Sequence, residues 1–165
     1  MPITMQTGPI VRVGNLVARH GAAMSLAEAS RLQREPGRWR ILVVDDEPDM
    51  LENVARILRR SSHQCITAAS GQEALALVER ERPDLILTDL RMPGMDGLGL
   101  LRAVKRLSPA TPVVIFTAYA SDASAREAAG AGAAGFLVKP FTSAELLQTV
   151  QQALPPRNGK EPVQP

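Results

Sequence analysis

The chain has 165 residues, 45% of them hydrophobic and 22% charged, about one domain's worth of polypeptide with enough apolar material for a core that needs no disulfide or metal. Nineteen Lys and Arg against seventeen Asp and Glu give a net charge of +2, too small to argue by itself for a nucleic-acid or membrane surface. The lone cysteine, Cys65, excludes an intramolecular disulfide framework and fits a reducing compartment, and no apolar run approaches the roughly 18 residues of a membrane span.

The mean charge conceals a segregation. Residues 1–40 hold six Arg and two Glu, residues 41–154 hold eleven Lys or Arg and fourteen Asp or Glu, and the tail adds +1. The expected organisation is a basic N-terminal extension over 1–39, a folded body over 40–154, and a polar tail or linker start over 155–165. The extension is expected to be partly disordered or weakly helical, the helix running from about Leu16 to Glu35. Its Arg-rich, acid-poor start also has the composition of a transit peptide, while the apolar region of a secretory signal is missing.

From Arg40 the pattern sharpens. Ile41–Val44 is an unbroken β-branched and leucine run, the signature of a strand covered on both faces. Asp49 to Arg60 shifts to helical spacing, with Leu51, Val54, Ala55 and Leu58 on one face. Cys65–Ala68 is a second strand, and Ser70 with Glu73 reads as a capping box for a second helix bearing Ala74, Leu75 and Val78. Leu85–Thr88 is a third strand ending at Asp89, and Asp96 caps a helix bearing Leu100, Leu101 and Val104. Val113–Phe116 is a fourth strand ending at Thr117. The following helix, about Ser121 to Ala129, is alanine and small polar residues, with a weak expected grip on the core. Ala134–Val138 is the fifth strand, Lys139-Pro140 ends it, and Thr142 with Glu145 opens a last helix that stops before Pro155-Pro156. Five strand–helix units in about 115 residues argue an open, doubly wound α/β parallel sheet, because a barrel needs roughly 250 residues.

In such a sheet ligands bind at the carboxyl ends of the strands. Those ends carry Asp45, Asp46 and Glu47 after the first strand, Asp89 after the third, Thr117 after the fourth and Lys139 after the fifth. Polar residues are common at any one strand end; together, directly abutting buried runs, they describe a site. Carboxylates held close repel and raise one another's pKa values unless a cation neutralises them, and a hard, oxygen-ligated ion suits them, Mg²⁺ before Ca²⁺. No glycine-rich phosphate loop follows the first strand, which removes the nucleotide-fold readings. His20 and His63 lie apart from any second ligand cluster. Cys65 reads as a small hydrophobe, and Trp39 as a packing or docking residue.

These residues, in this order, resemble the receiver domains of two-component response regulators, the CheY-like (flavodoxin-like) fold with strand order 2-1-3-4-5. Ile41-Leu-Val-Val-Asp45-Asp46-Glu47, Leu85-Ile-Leu-Thr-Asp89-Leu-Arg-Met-Pro93-Gly94-Met-Asp96-Gly97, Phe116-Thr117-Ala118 and Gly135-Phe136-Leu-Val-Lys139-Pro140-Phe141 carry the resemblance. It implies that Asp89 accepts a phosphoryl group and that Asp46, Asp89 and the backbone carbonyl of Arg91 ligate Mg²⁺ or Mn²⁺, with Asp45 acting through water. Lys139 and Thr117, with Ala118 beside it, would bind the phosphoryl oxygens. Pro93, Gly97 and Pro140 would be structural, the Lys139–Pro140 bond cis. Phe136 is either the switch aromatic or a plain core residue. Arg91 and Tyr119, both bulky, would set a fairly long lifetime for the phosphorylated state.

The resemblance further implies a cytoplasmic bacterial signalling protein rather than an enzyme, served by a histidine kinase or a phosphotransfer protein. It would signal to a downstream protein through the face of the fourth helix, fifth strand and fifth helix, as a monomer or a phosphorylation-dependent dimer, itself binding neither nucleic acid nor membrane. Two alternatives stand beside it: the receiver part of a larger DNA-binding regulator or hybrid kinase, and an aspartyl-nucleophile phosphohydrolase. The latter places its nucleophile in the Asp pair after the first strand.

Overall fold

A computed structural model describes residues 37–155; the helix expected between Leu16 and Glu35 and most of the tail lie outside them. The elements in chain order are β1 (Arg40–Val44), α1 (Pro48–Arg60), β2 (Gln64–Ala68), α2 (Gly71–Glu81), β3 (Leu85–Asp89), α3 (Gly97–Leu107), β4 (Val113–Thr117), α4 (Asp122–Gly130), β5 (Gly135–Val138) and α5 (Ser143–Ala153). All pairings are parallel, in the order β2-β1-β3-β4-β5. The chain alternates strand and helix, so each parallel pairing is closed by a helical crossover.

The apolar runs are continuous because the three central strands are covered on both faces. β3 and β4 are buried throughout, as is β1 after Arg40. On one face Leu42, Val44, Ile86 and Ile115 pack with residues of α2, α3 and α4; on the other, Ile41, Val43, Leu85, Leu87 and Phe116 pack with α1 and α5. The helix between β4 and β5 is the thin place in this shell. α4 buries only Ala128, as its alanine and serine content leads one to expect.

Helix starts follow local chemistry, with two departures from expectation. α1 begins one residue early, at Pro48, because proline supplies a first helical residue whose missing N–H costs nothing. At α2, Ser70 Oγ accepts from the Glu73 N–H at 3.2 Å, but Glu73 Oε2 takes the N–H of Ala69 at 2.8 Å instead of that of Ser70, so the box is only half of the expected form. At α5 both halves are present: Thr142 Oγ1 accepts from the Glu145 N–H at 3.2 Å, and Glu145 Oε2 from the Thr142 N–H at 2.7 Å. Asp96 caps α3 by accepting from the Gly99 N–H at 2.7 Å.

The start of α3 comes back against the end of β3. A Cβ on Gly97 would collide with the carbonyl oxygen of Asp89 and stand 2.9 Å from Leu90 Cα. Only glycine lets α3 begin this close to the end of β3.

Candidate functional site

The carboxyl ends of β1, β3, β4 and β5 deliver their residues to one place. Asp45 is fully buried, and its Oδ1 accepts the N–H of Glu47 at 2.9 Å. Its Oδ2 lies 2.9 Å from Lys139 Nζ. Asp89, at the end of central β3, has its Oδ1 3.2 Å from the same ammonium. Asp46 is exposed at the rim. Carboxylate oxygens of Asp45, Asp46 and Asp89 come within 4.8 Å of one another.

Lys139 is placed by β5, whose end is tied to β4 by the Lys139 N–H donating to the Thr117 carbonyl at 2.8 Å. The Lys139–Pro140 peptide bond is cis, as expected. The ammonium also sits 4.8 Å from the centroid of Phe116. Sequence reasoning saw Phe116 only as a strand residue; it stands one position before Thr117, so its ring turns to the opposite face, with the Lys139 ammonium over it.

Thr117 is buried, and its Oγ1 accepts the N–H of Tyr119 at 3.0 Å. That leaves the hydroxyl proton to point elsewhere. Ala118, Arg91 and Pro93 are exposed on the surrounding loops. Phe136 pairs with Ile115 in register and packs, partly buried, against the core on the α2–α3–α4 face.

Electrostatics set this cluster apart. Burial is the largest influence on Asp89 and pushes its pKa up; Lys139 pulls it down and the Asp45 charge pushes it up again, leaving it raised. Burial alone would lower Lys139, but its hydrogen bond to Asp45 and the charges of both aspartates outweigh that and hold it above its ordinary value. One ammonium thus pairs with two carboxylates that are nearly out of water, and a third, Asp46, stands within 4.8 Å of both. Asp45 has both oxygens engaged, which makes it a poor nucleophile. Asp89 takes hydrogen bonds from Lys139 and the Leu90 backbone, and stands at the end of the central strand.

The donor set fits a hard divalent ion. All three ligating groups are carboxylates, and a 2+ charge neutralises what Lys139 does not. This acidic cluster can coordinate Mg²⁺ or Mn²⁺. By contrast, Cys65 is half-buried on edge strand β2, and burial raises its thiol to about 11, so it stays protonated and inert at neutral pH. No helix among the described residues is long and apolar enough to cross a membrane.

With this geometry in view, residues 41–151 match the family described as response regulator receiver domain. Among curated proteins, the chain is 41% identical over 118 residues to the transcriptional regulatory protein ZraR of Salmonella typhimurium, covering 72% of this chain and 27% of that protein. It is 39% identical over 115 residues to the transcriptional regulatory protein PrrA of Mycobacterium tuberculosis, covering 70% and 49%. The chain therefore spans from about a quarter to about half the length of these relatives. Among solved structures, the chemotaxis protein CheY4 of Vibrio cholerae has 36% identity and a TM-score of 0.68, covering 71% of this chain and 99% of that one. The signal receiver domain of the putative response regulator NarL from Mycobacterium tuberculosis has 38% identity and a TM-score of 0.67, covering 70% and 95%.

Proposed function

The chain belongs to the response regulator receiver family, and from that premise we propose that Asp89 accepts a phosphoryl group from a histidine kinase or a phosphotransfer protein. The observation that carries this reading is the setting of Asp89: a buried carboxylate at the end of the central strand, 3.2 Å from Lys139 and within 4.8 Å of the Asp45–Asp46 pair.

The transfer is an in-line displacement. An Asp89 carboxylate oxygen forms a bond to phosphorus while the bond from phosphorus to the donor nitrogen breaks, its electron pair staying on the donor. Asp46, Asp89 and the backbone carbonyl of Arg91 would hold Mg²⁺, and Asp45 would act through water. The ion, when bound, offsets charge on the equatorial phosphoryl oxygens. Lys139 donates to one of those oxygens, and the Thr117 hydroxyl, whose oxygen already accepts the Tyr119 N–H, donates to another with Ala118 alongside. Pro93, Gly97 and Pro140 hold the loops in shape.

Phosphorylation then shifts the population of the α4–β5–α5 face. The thin attachment of α4 through Ala128 supports this, since few buried contacts oppose a small rearrangement; Phe136, half-buried beneath that face, is placed to move with it. Arg91 and Tyr119 set how long the phosphorylated state lasts. The protein works in the cytoplasm as a monomer or as a dimer formed on phosphorylation. Residues 155–165 form a polar tail or the start of a linker, and the output passes to a protein partner or to a DNA-binding part of a larger regulator.

The test is incubation of wild type and Asp89→Ala with acetyl phosphate and Mg²⁺, followed by intact mass. Wild type gains one phosphoryl group, and neither Asp89→Ala nor wild type in chelator does. Label that persists in Asp89→Ala overturns the assignment.

A further inference from the structure

Lys139 has a long way to reach. It follows β5, an edge strand, yet the carboxylates it meets, Asp45 and Asp89, stand at the ends of β1 and β3, with β4 in between. Its four-carbon stem is flexible, and an ammonium is a point charge whose donors rotate freely. β5 does little to steer it, since none of its four residues is buried.

Phe116 occupies the strand in between. In register it pairs with Asp89 on one side and with Leu137 on the other, so it stands between Asp89 and the strand that carries Lys139. Its side chain is 1% exposed. The Lys139 ammonium lies 4.8 Å from the ring centroid, inside the roughly 6 Å at which a cation and an aromatic face attract. Phe141, two residues beyond Lys139, meets this ring edge to face, with centroids 6.1 Å apart and planes at 89°. The second ring fixes the plane of the first, and with it the place of the ammonium.

The three contacts of that ammonium differ in what phosphoryl transfer does to them. With acetyl phosphate as donor, a bond from an Asp89 oxygen to phosphorus forms while the bond from phosphorus to the acetyl oxygen breaks, its electron pair leaving with acetate. Asp89 is then a neutral acyl group and no longer a full partner for a cation. Asp45 must compete with phosphoryl oxygens that carry more charge than it does. The ring of Phe116 takes no part in the exchange and attracts the ammonium to the same degree before and after it.

Resting on the reading of Asp89 as the phosphoacceptor, we propose that Phe116 is a positioning residue for phosphoryl transfer. Its ring face holds the Lys139 ammonium at the end of β4 while the ammonium passes from the Asp89 carboxylate to the phosphoryl oxygens. An aliphatic side chain of similar bulk would fill the core and leave that placement to the stem alone. Phe116 acts through Lys139 rather than on the reacting atoms. A desolvated cation–π contact is equivalent to a factor of about five to thirty, and the Lys139 side chain is only 10% exposed.

The test grades the charge of the ring at nearly constant shape. Phenylalanine carrying one, two or three ring fluorines is placed at position 116 of the full chain; each fluorine drains the negative face and leaves the apolar bulk almost unchanged. Phosphoryl uptake from acetyl phosphate and Mg²⁺, followed by intact mass, should slow with each fluorine. Phe116→Leu should be slowest, about five- to thirtyfold below wild type. A residue that merely fills the core predicts equal uptake across the fluorinated set. A second readout needs no phosphoryl group: the protons beside the Lys139 ammonium should resonate upfield in wild type, from the ring current, and return to ordinary positions in Phe116→Leu. Equal uptake across the fluorinated set, or ordinary Lys139 positions in wild type, overturns the positioning role and leaves Asp89 as the phosphoacceptor. No uptake by wild type, or label that persists in Asp89→Ala, overturns the phosphoacceptor reading and the positioning role with it.

Discussion

The two ends of the sheet gather similar polar groups and treat them in opposite ways. At the amino end, Arg40 closes a knot. Its N–H donates to Asp84 Oδ2 at 2.8 Å and its carbonyl accepts from the Asp84 N–H at 2.7 Å. Its side chain donates to Gln64 Oε1 at 3.0 Å and to the Glu81 carbonyl at 2.6 Å. Glu81 is paired in turn with Arg80 at 2.9 Å. Two arginines meet two carboxylates, all at least partly in water, and β1, β2, β3 and the end of α2 are stitched together. At the carboxyl end, one ammonium meets Asp45 and Asp89 with a third carboxylate, Asp46, beside them, and burial raises Asp89 rather than settling it. Polar groups at a sheet end are structural where they saturate one another. Where burial and charge are left uncompensated, they are poised for a cation and a phosphoryl group.

Substitutions at the two ends should therefore separate chemistry from stability. The largest effect belongs to Lys139→Ala, which removes the donor aimed at the phosphoryl group. Phosphorylation by acetyl phosphate should slow by about 10²–10³-fold, the usual consequence of deleting one donor to developing charge, as measured by rapid-quench uptake. Arg40→Ala should do the reverse. It should lower unfolding free energy by about 1–2 kcal/mol in urea titration, with uptake unchanged.

The smallest effect belongs to the cap of α5, three residues past Lys139 and exposed to water. Hydrogen bonds from the Thr142 backbone and hydroxyl hold Glu145 below its ordinary 4.5. A carboxylate lowered in the folded state contributes stability that is complete above its unfolded pKa and is lost as pH falls through the folded value. The melting gap between wild type and Glu145→Ala, present at about pH 6, should thus close toward about pH 3. Uptake should be the same in both.

Much of this was legible in the sequence because strand interiors and strand ends follow simple rules. Ile41–Val44, Leu85–Thr88 and Val113–Phe116 are buried on both faces, and a parallel sheet with helical crossovers forces Asp45, Asp89, Thr117 and Lys139 to one edge. Local caps were legible where a side chain reaches its own turn, as at Asp96 and Thr142. At Ser70 the local rule half fails, because the extended chain before α2 brings the Ala69 N–H, not that of Ser70, to Glu73. Contacts between loops were beyond reach of pattern. Nothing in spacing places Arg91 on Tyr119 or the Phe116 ring under Lys139, since each depends on how two separate segments leave the sheet. The choice between switch and core for Phe136 is likewise a matter of two conformations, and one sequence pattern serves both.

The contrast between the two ends is tested most directly by thermal unfolding of wild type and Asp89→Asn, with and without Mg²⁺. The folded state disfavours ionised Asp89, so neutralising it removes a cost. Without Mg²⁺, Asp89→Asn should melt above wild type. Saturating Mg²⁺ should raise the wild-type midpoint by binding only the folded state, and should raise that of Asp89→Asn far less, closing the gap. Should Asp89→Asn melt below wild type without Mg²⁺ and keep the full Mg²⁺ response, the carboxyl end would be a saturated structural knot like its opposite, and the account would be contradicted.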